Sequence, residues 1–335
     1  MDPLSDVLRA VKLNGAHFYL VHAGAPWSVA ARPSHEIRPI ILPHVEHLIS
    51  YHILLTGNCW AGVEGEGQVH MRPGDVVMFP HGSAHLMSSA EGSRDGLERQ
   101  GAAPARYLET VLLGPSTARD TAFVCGFLGC DTRPFNPLLA ALPKRMHFPG
   151  IAGGWLARFP EQVVNESRSG RVGSDTMLTR MAELMFIEVV RRYVEDLPPQ
   201  HMGWLGGLRD DVVGPALSAL HERPAHPWTL PELARTIASS RTVLSERFSQ
   251  LVGVPPMLYL ARWRLQLAAE QLSRGSAKVA SIGANVGYES EAAFSRAFKR
   301  ETGMSPAAWR RTRSGSNDAR AARALETEQV GSRAP

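Results

Sequence analysis

The 335-residue chain has three cysteines, Cys59, Cys125 and Cys130. So small and odd a number, in a chain expected to stay in the cytoplasm, argues against a disulfide scaffold. The chain also lacks any run of about 18 apolar residues, so no transmembrane helix is expected. Its N-terminus, MDPLSDVLRA, carries acids where a signal peptide would show a basic region and then an apolar stretch. The expected location is the cytoplasm, with no membrane partner. Missing too are Gly-x-Ser-x-Gly, His-Glu-x-x-His and phosphate-loop patterns. Gly65-x-Gly67 lies in a strand turn without a following helix, so no enzyme is expected.

What is present fits a globular protein: 44% hydrophobic and 20% charged residues exclude global disorder. The length is enough for two domains, each with its own core. The net charge of +4 is unevenly placed. Residues 1–209 hold 19 basic against 20 acidic side chains, while residues 210–311 hold 13 against 9. A basic excess of that size suits either a nucleic-acid partner or a solvated surface. Histidine is skewed the other way, with nine of 13 before residue 86.

The first 120 residues read as short strands separated by turns at Thr56-Gly57-Asn58, Gly65-Glu66-Gly67 and Pro73-Gly74-Asp75, the pattern of a sandwich or barrel. Residues 91–105 are polar and read as an exposed loop. From about residue 136 the period becomes helical. Met177, Met181, Leu184, Met185 and Ile187 recur at helical spacing in an amphipathic helix over 175–196, which also offers a face for a homodimer. Pro198-Pro199 ends it, and residues 198–211 read as a linker. Residues 312–335 lack apolar periodicity and read as a disordered tail.

Residues 212–311 carry an internal repeat at an offset of 50. Ala234 matches Ala284, Ser240 matches Ser290, and Phe248 matches Phe298; Gly253 and Pro256 match Gly303 and Pro306. Each copy reads as a short helix, a turn, a Ser at an N-cap, a longer helix, and a closing Gly and Pro. Thr229-Leu-Pro-Glu232 has capping-box spacing. In the first long helix Val243, Leu244, Phe248 and Leu251 are expected in the core, with Arg241, Thr242, Ser245, Glu246 and Gln250 outside. In the second, Phe294, Ala297 and Phe298 are expected inside, with Glu291, Ala292, Ser295, Lys299 and Arg300 outside. Two short helices about a tight turn are a helix-turn-helix, whose second helix fits the major groove. Reading two adjacent grooves takes about 34 Å, and the helix around Leu260, Trp263 and Leu267 would fix the two copies relative to each other. A helical repeat without a nucleic-acid role is the other reading of this periodicity.

The segments LARTIASSRTVLSERFSQLVGVPPMLYLARWRLQLAAEQL and GYESEAAFSRAFKRETGMSPAAWR resemble the signature of AraC/XylS-family transcription regulators. The resemblance implies double-stranded promoter DNA and RNA polymerase as partners. It places base contacts at Arg241, Thr242, Ser245 and Glu246, and at Glu291, Ala292, Ser295 and Arg296. Arg296 suits guanine O6/N7, or else a salt bridge to a local Glu. Lys299, Arg300 and Arg262 suit phosphates.

GDVVMFPHGSAHLM, GNCWAGVEG and CGFLGCDTRPFNPLLAALP resemble the cupin-type ligand-binding domain of one AraC-like subfamily, over residues 4–197. The implied fold class is α+β, a cupin-like β-barrel with a helical extension followed by an all-α double helix-turn-helix domain. The alternative that the resemblance leaves open is a cupin-type metal-binding enzyme with a helical accessory domain, although the His-x-His of metal cupins is missing, since His52 stands alone. His81 and His85 with Cys59 have ligand types for Zn or another transition metal; capping of strands is the other reading, with an apolar pocket around Trp60, Met78 and Phe79 for a small organic effector. No cofactor is certain. Cys125 and Cys130, spaced C-x4-C, are about 140° apart on a helix but can meet in a Gly-rich loop; they are a redox pair or buried inert thiols.

Overall fold

The computed structural model describes residues 2–11, 13–99, 110–115, 117–150, 158–198 and 201–313. The expected disordered tail therefore lies outside the described residues from 314 onward, as does the expected loop beyond residue 99. In chain order the strands are β1 (Leu13–Ala23), β2 (Ser28–Ala31), β3 (His47–Thr56), β4 (Cys59–Val63), β5 (Val69–Met71), β6 (Val76–Phe79), β7 (His85–Ser88), β8 (Leu97–Arg99), β9 (Thr110–Leu113), β10 (Thr121–Cys130) and β11 (Met146–Phe148). The helices are α1 (Pro3–Ala10), α2 (Ser34–Ile41), α3 (Pro137–Ala141), α4 (Phe159–Arg168), α5 (Ser174–Asp196), α6 (Trp204–Leu208), α7 (Val213–Glu222), α8 (Leu230–Thr236), α9 (Arg241–Val252), α10 (Pro256–Arg274), α11 (Val279–Asn285) and α12 (Glu291–Thr302).

The chain divides into two compact units that are not contiguous in sequence. Residues 12–131 and 142–196 form a sheet unit; residues 1–11, 132–141 and 197–335 form a helical unit. Two segments that the sequence groups with the N-terminal half, α1 and the stretch around α3, thus belong to the helical unit. Part of the expected linker does too: α6 buries Trp204 and Leu205 and packs on α9.

In the sheet unit the strands form a six-stranded sheet, β11-β6-β3-β10-β1-β9, and a five-stranded sheet, β5-β4-β7-β2-β8. These are two hydrogen-bonded layers, so the expected barrel is an open pair of sheets. One core fills the space between them, taking Tyr19, Leu54, Phe79 and Phe123 from the larger sheet and Cys59, Met71 and Met87 from the smaller. The central strand β10 is buried at all ten positions, which explains its unbroken run of apolar and small residues. CGFLGC is therefore strand, not loop. Gly126 is there because a Cβ would collide with the Tyr51 ring, about 2.1 Å away on the neighbouring strand. α5 buries Leu178, Ala182, Met185, Phe186, Val189 and Val190 and packs on α4 and β1. Met177 and Leu184, on the other side of α5, stay more than half exposed.

The helical unit realises the repeat. Thr229 accepts from the Glu232 amide, Ser240 from Val243 and Ser290 from Ala293, so all three expected caps form. Gly253 and Gly303 close the long helices in the left-handed conformation. The first helices end alike: Ser239 N–H reaches Ala234 O, and Tyr288 N–H reaches Gly283 O, around left-handed Ala238 and Gly287. The second copy holds one extra residue between that turn and its Ser cap, so the first helices repeat at 49 and the long ones at 50. Val243 departs from expectation. With Leu244 and Phe248 setting the buried face of α9, Val243 is turned off it and is 47% exposed.

Candidate nucleic-acid interface and sensing interior

α9 and α12 both pack against α10, and aromatic pairs sit beneath each. Phe248 of α9 meets Tyr259 of α10 edge-on, with centroids 5.7 Å apart. Phe298 of α12 meets Trp309, in the closing helical residues 306–313, at 5.6 Å, and Phe294 at 5.6 Å. One arginine that the sequence reading did not single out ties the copies together. Arg264 of α10 donates to Pro224 O and His226 O at 2.7 Å each and to Gly287 O at 3.3 Å, joining the lead-in to α8 with the turn before α12. A Cβ on Gly287 would meet Ala225 O at 2.6 Å, so this turn needs glycine for space as well as for its φ of 88°.

The residues expected at bases lie on the exposed faces of these helices. Arg241, Thr242, Glu246, Glu291, Ala292 and Arg296 are exposed, and Ser245 and Ser295 are half-buried beside them. Lys299 and Arg300 are exposed on α12. Among the described residues Arg241, Arg296, Lys299 and Arg300 make no salt bridge to a carboxylate, unlike Arg247, which holds Asp210 at 2.6 Å. Arg262 is different from the other four. It is paired with Glu301 at 3.2 Å and two-thirds covered, so it braces α10 against α12 rather than standing free for a phosphate.

A chain with this arrangement has relatives. A family profile described as a cupin matches residues 2–195, and one described as a helix-turn-helix domain matches residues 233–312. A protein of Streptomyces antibioticus named as an AraC-like transcription regulator is 31% identical over 93% of this chain and 99% of its own length. Its namesake in Streptomyces lividans is 32% identical over 93% and 98%. The chain belongs to the AraC-like transcription regulators. The transcriptional regulator AlkR of Acinetobacter baylyi is 27% identical over 92% of this chain and 99% of its own. Among solved structures, the DNA-binding domain of AdpA in complex with a target DNA is 26% identical over 31% of this chain and 93% of that one, with a TM-score of 0.30. α9 and α12 are the longer helices within the part of the chain that the helix-turn-helix profile matches.

The cupin half of this AraC-like chain has a polar row inside its core. Cys125 stands opposite Tyr19 on one side and His52 on the other, across β1, β10 and β3. His52 Nδ1 lies 2.9 Å from Cys125 Sγ, and its Nε2 lies 2.7 Å from His85 Nε2. His85 Nδ1 lies 2.9 Å from Ser83 O, and its ring stacks on Phe79 at 3.9 Å. The direction of each bond follows from the last acceptor. Ser83 O can only accept, so His85 carries its proton on Nδ1 and accepts at Nε2. His52 must then donate from Nε2 and accept at Nδ1 from the Cys125 thiol. Both rings have to be neutral, and burial ensures it. It lowers His85 to about 4 and, with His85 alongside, takes His52 well below the usual range.

The expected metal trio does not assemble. His81 turns to Leu142 O at 2.8 Å, away from His85. Cys59 is buried with its thiol pushed up to about 12, by desolvation and then by the charge of Asp75. Two imidazole nitrogens on one zinc sit about 3.3 Å apart, so the 2.7 Å His52–His85 contact is a hydrogen bond that leaves no room for an ion between them. Among the described residues no group of three ligand-type side chains is placed to hold a metal. The expected Cys125–Cys130 pair fails for a separate reason. Five residues apart on one strand, the thiols point to opposite faces and are about 17 Å apart along it. His52, which the sequence left as an isolated histidine, is the hub; its signal was the strand register, which no local pattern reveals.

Proposed function

We propose that the chain is a sequence-specific regulator that binds double-stranded promoter DNA through α9 and α12 and is controlled by a small effector sensed in its cupin half. The observation that carries this reading is the set of four cations, Arg241, Arg296, Lys299 and Arg300, exposed on the two long helices and free of carboxylate partners among the described residues. Side chains that protein carboxylates do not neutralise are available to phosphates and guanine edges. Exposed Val243, amid polar neighbours, suits a thymine methyl. The Tyr19–Cys125–His52–His85 row is the candidate point of effector control, where a polar molecule or a change at the thiol would break a hydrogen-bond sequence with only one allowed direction. In this reading the chain works in the cytoplasm, acts on RNA polymerase, and binds rather than catalyses. Exposed Met177 and Leu184 on α5 support a homodimer; sedimentation that returns a monomer with and without DNA would remove it.

The test is titration of the full chain with duplex selected from a random-sequence library, at increasing salt. Four to six phosphate contacts give a slope of about −4 to −5 in log affinity against log salt. A flat response would sink the DNA-binding reading.

A further inference from the structure

Two of the segments that join the sheet unit to the helical unit in the chain are held by a single side chain. α1 ends at Ala10, three residues before β1 begins, and Phe135 lies five residues after β10 ends. β1 and β10 are paired neighbours, with Leu13 opposite Cys130. Gln266 of α10 is 4% exposed. Its Nε2 donates to Ala10 O at 3.0 Å, and its Oε1 accepts from Phe135 N–H at 3.0 Å. No other neutral side chain of that length offers both a donor and an acceptor in this way, so any apolar replacement leaves a backbone N–H and a C=O without their partner.

The segment after β10 also touches the aromatic packed beneath each reading helix. Phe135 meets Tyr259 edge-on at 5.4 Å, and Tyr259 is the ring on which Phe248 of α9 rests. Arg133 lies 5.8 Å over the Trp309 ring, on which Phe298 of α12 rests. α1 stands at the far end of a polar row that starts at the same tyrosine. Trp204 donates to the Tyr259 oxygen at 2.9 Å and the Tyr259 hydroxyl faces His221 Nε2 at 2.8 Å. Burial keeps His221 neutral, so the hydroxyl donates there and Nδ1–H faces Asp6 of α1 at 3.5 Å. Tyr259, Trp263 and Gln266 fall on one stripe of α10, whose contacts run to α1, to the segment around Phe135, to α6 and α7, and to α9.

We propose that α1 and residues 132–135, pinned by Gln266, are the coupling element through which the sheet unit and DNA influence each other, by holding α9 and α12 in one mutual setting. The proposal rests on the DNA-binding reading above. Coupling is reciprocal, so whatever lets the sheet unit change DNA affinity must let DNA change the sheet unit. That makes the idea testable before any effector is known.

The probe is the library-selected duplex, added to the full chain while amide hydrogen exchange is followed. In the wild type, DNA should change exchange in α1, in residues 132–141, and in β1 and β10, although neither strand belongs to the DNA-directed surface. In Gln266→Leu the response of β1 and β10 should be lost while DNA binding, read separately by anisotropy, persists. Arg133 is exposed, so Arg133→Ala keeps the fold and should weaken the same response. A wild-type-sized response in Gln266→Leu, or none in β1 and β10 of the wild type, overturns the proposal. Should Gln266→Leu lose its helical signal, Arg133→Ala decides, and an undiminished response there also overturns it. Failure of the wild type to bind any selected duplex shows first in the anisotropy and takes down the DNA-binding reading itself.

Discussion

The core of the sheet unit and the outer faces of α9 and α12 treat ionisable groups in opposite ways. In the core, His52, His85 and the thiols of Cys59 and Cys125 are desolvated and kept neutral, and the two rings and Cys125 have their hydrogens assigned by neighbours. On the outer faces of α9 and α12, Arg241, Arg296, Lys299 and Arg300 are exposed to solvent and make no salt bridge to a carboxylate among the described residues. Neutral groups in a dry core respond to whatever enters it, since one displaced hydrogen bond propagates along the row. Charged groups in water respond to a polyanion and to salt. The two regions thus use different side-chain types under opposite solvation, imidazoles and thiols inside and guanidinium and ammonium groups outside, and each is open to a separate test.

The largest expected effect is on the dry side. A histidine held at about 4 in the folded chain, against about 6.5 when unfolded, takes up its proton only on unfolding across that interval. The stability it supports is complete above about pH 6.5 and is lost progressively as pH falls to about 4. For His85 alone the loss is roughly 3 kcal/mol. Denaturant melts of the full chain at stepped pH should show this decline, and His85→Gln should flatten it. If stability were unchanged between about pH 7 and 4, the buried neutral pair would not exist in solution.

On the wet side, Arg296→Ala should cost about 1–3 kcal/mol on selected DNA and relax base preference at one position. Lys299→Ala should weaken all duplexes about equally and lower the salt slope by roughly one. Selection of both variants on one random library reads the difference; matching profiles would erase the division between reading and anchoring.

The smallest effect belongs to neither chemistry. Ala238 holds φ at 53° where the second copy has Gly287. Ala238→Gly should stabilise the helical unit by up to about 1 kcal/mol, as relief of the left-handed Cβ outweighs the added freedom of the unfolded chain. A thermal melt in which the variant loses stability would show that the Ala238 methyl packs better than its exposure suggests.

Much of the helical unit was legible because its signals are local. Ser240 and Ser290 cap their own helices, Gly253 and Gly303 end them, and Leu244–Phe248 and Phe294–Phe298 mark their buried faces by spacing alone. Val243 was misplaced because a residue next to a buried Leu is turned about 100° from it, which an apolar tally ignores. The sheet unit was harder. CGFLGC looked like a loop because glycine marks turns more often than it marks room for a tyrosine ring on the next strand. The His52–Cys125 contact depends on the register of β3 against β10, and Gln266 depends on partners 131 and 256 residues away. Such pairings are fixed by the whole fold, so no window of sequence contains them.

Arg264 makes the two copies of the repeat depend on each other. Duplicated motifs are usually free to be lost singly, since each copy carries its own supports. Here one guanidinium is shared: its bonds to Pro224 O and His226 O serve the first copy and its bond to Gly287 O the second. Trimming away the first copy would remove two of the three carbonyls that hold this arginine in place, and trimming away the second would remove the third. The two motifs thus lean on one shared side chain, and a chain reduced to one helix-turn-helix would leave Arg264 short of partners.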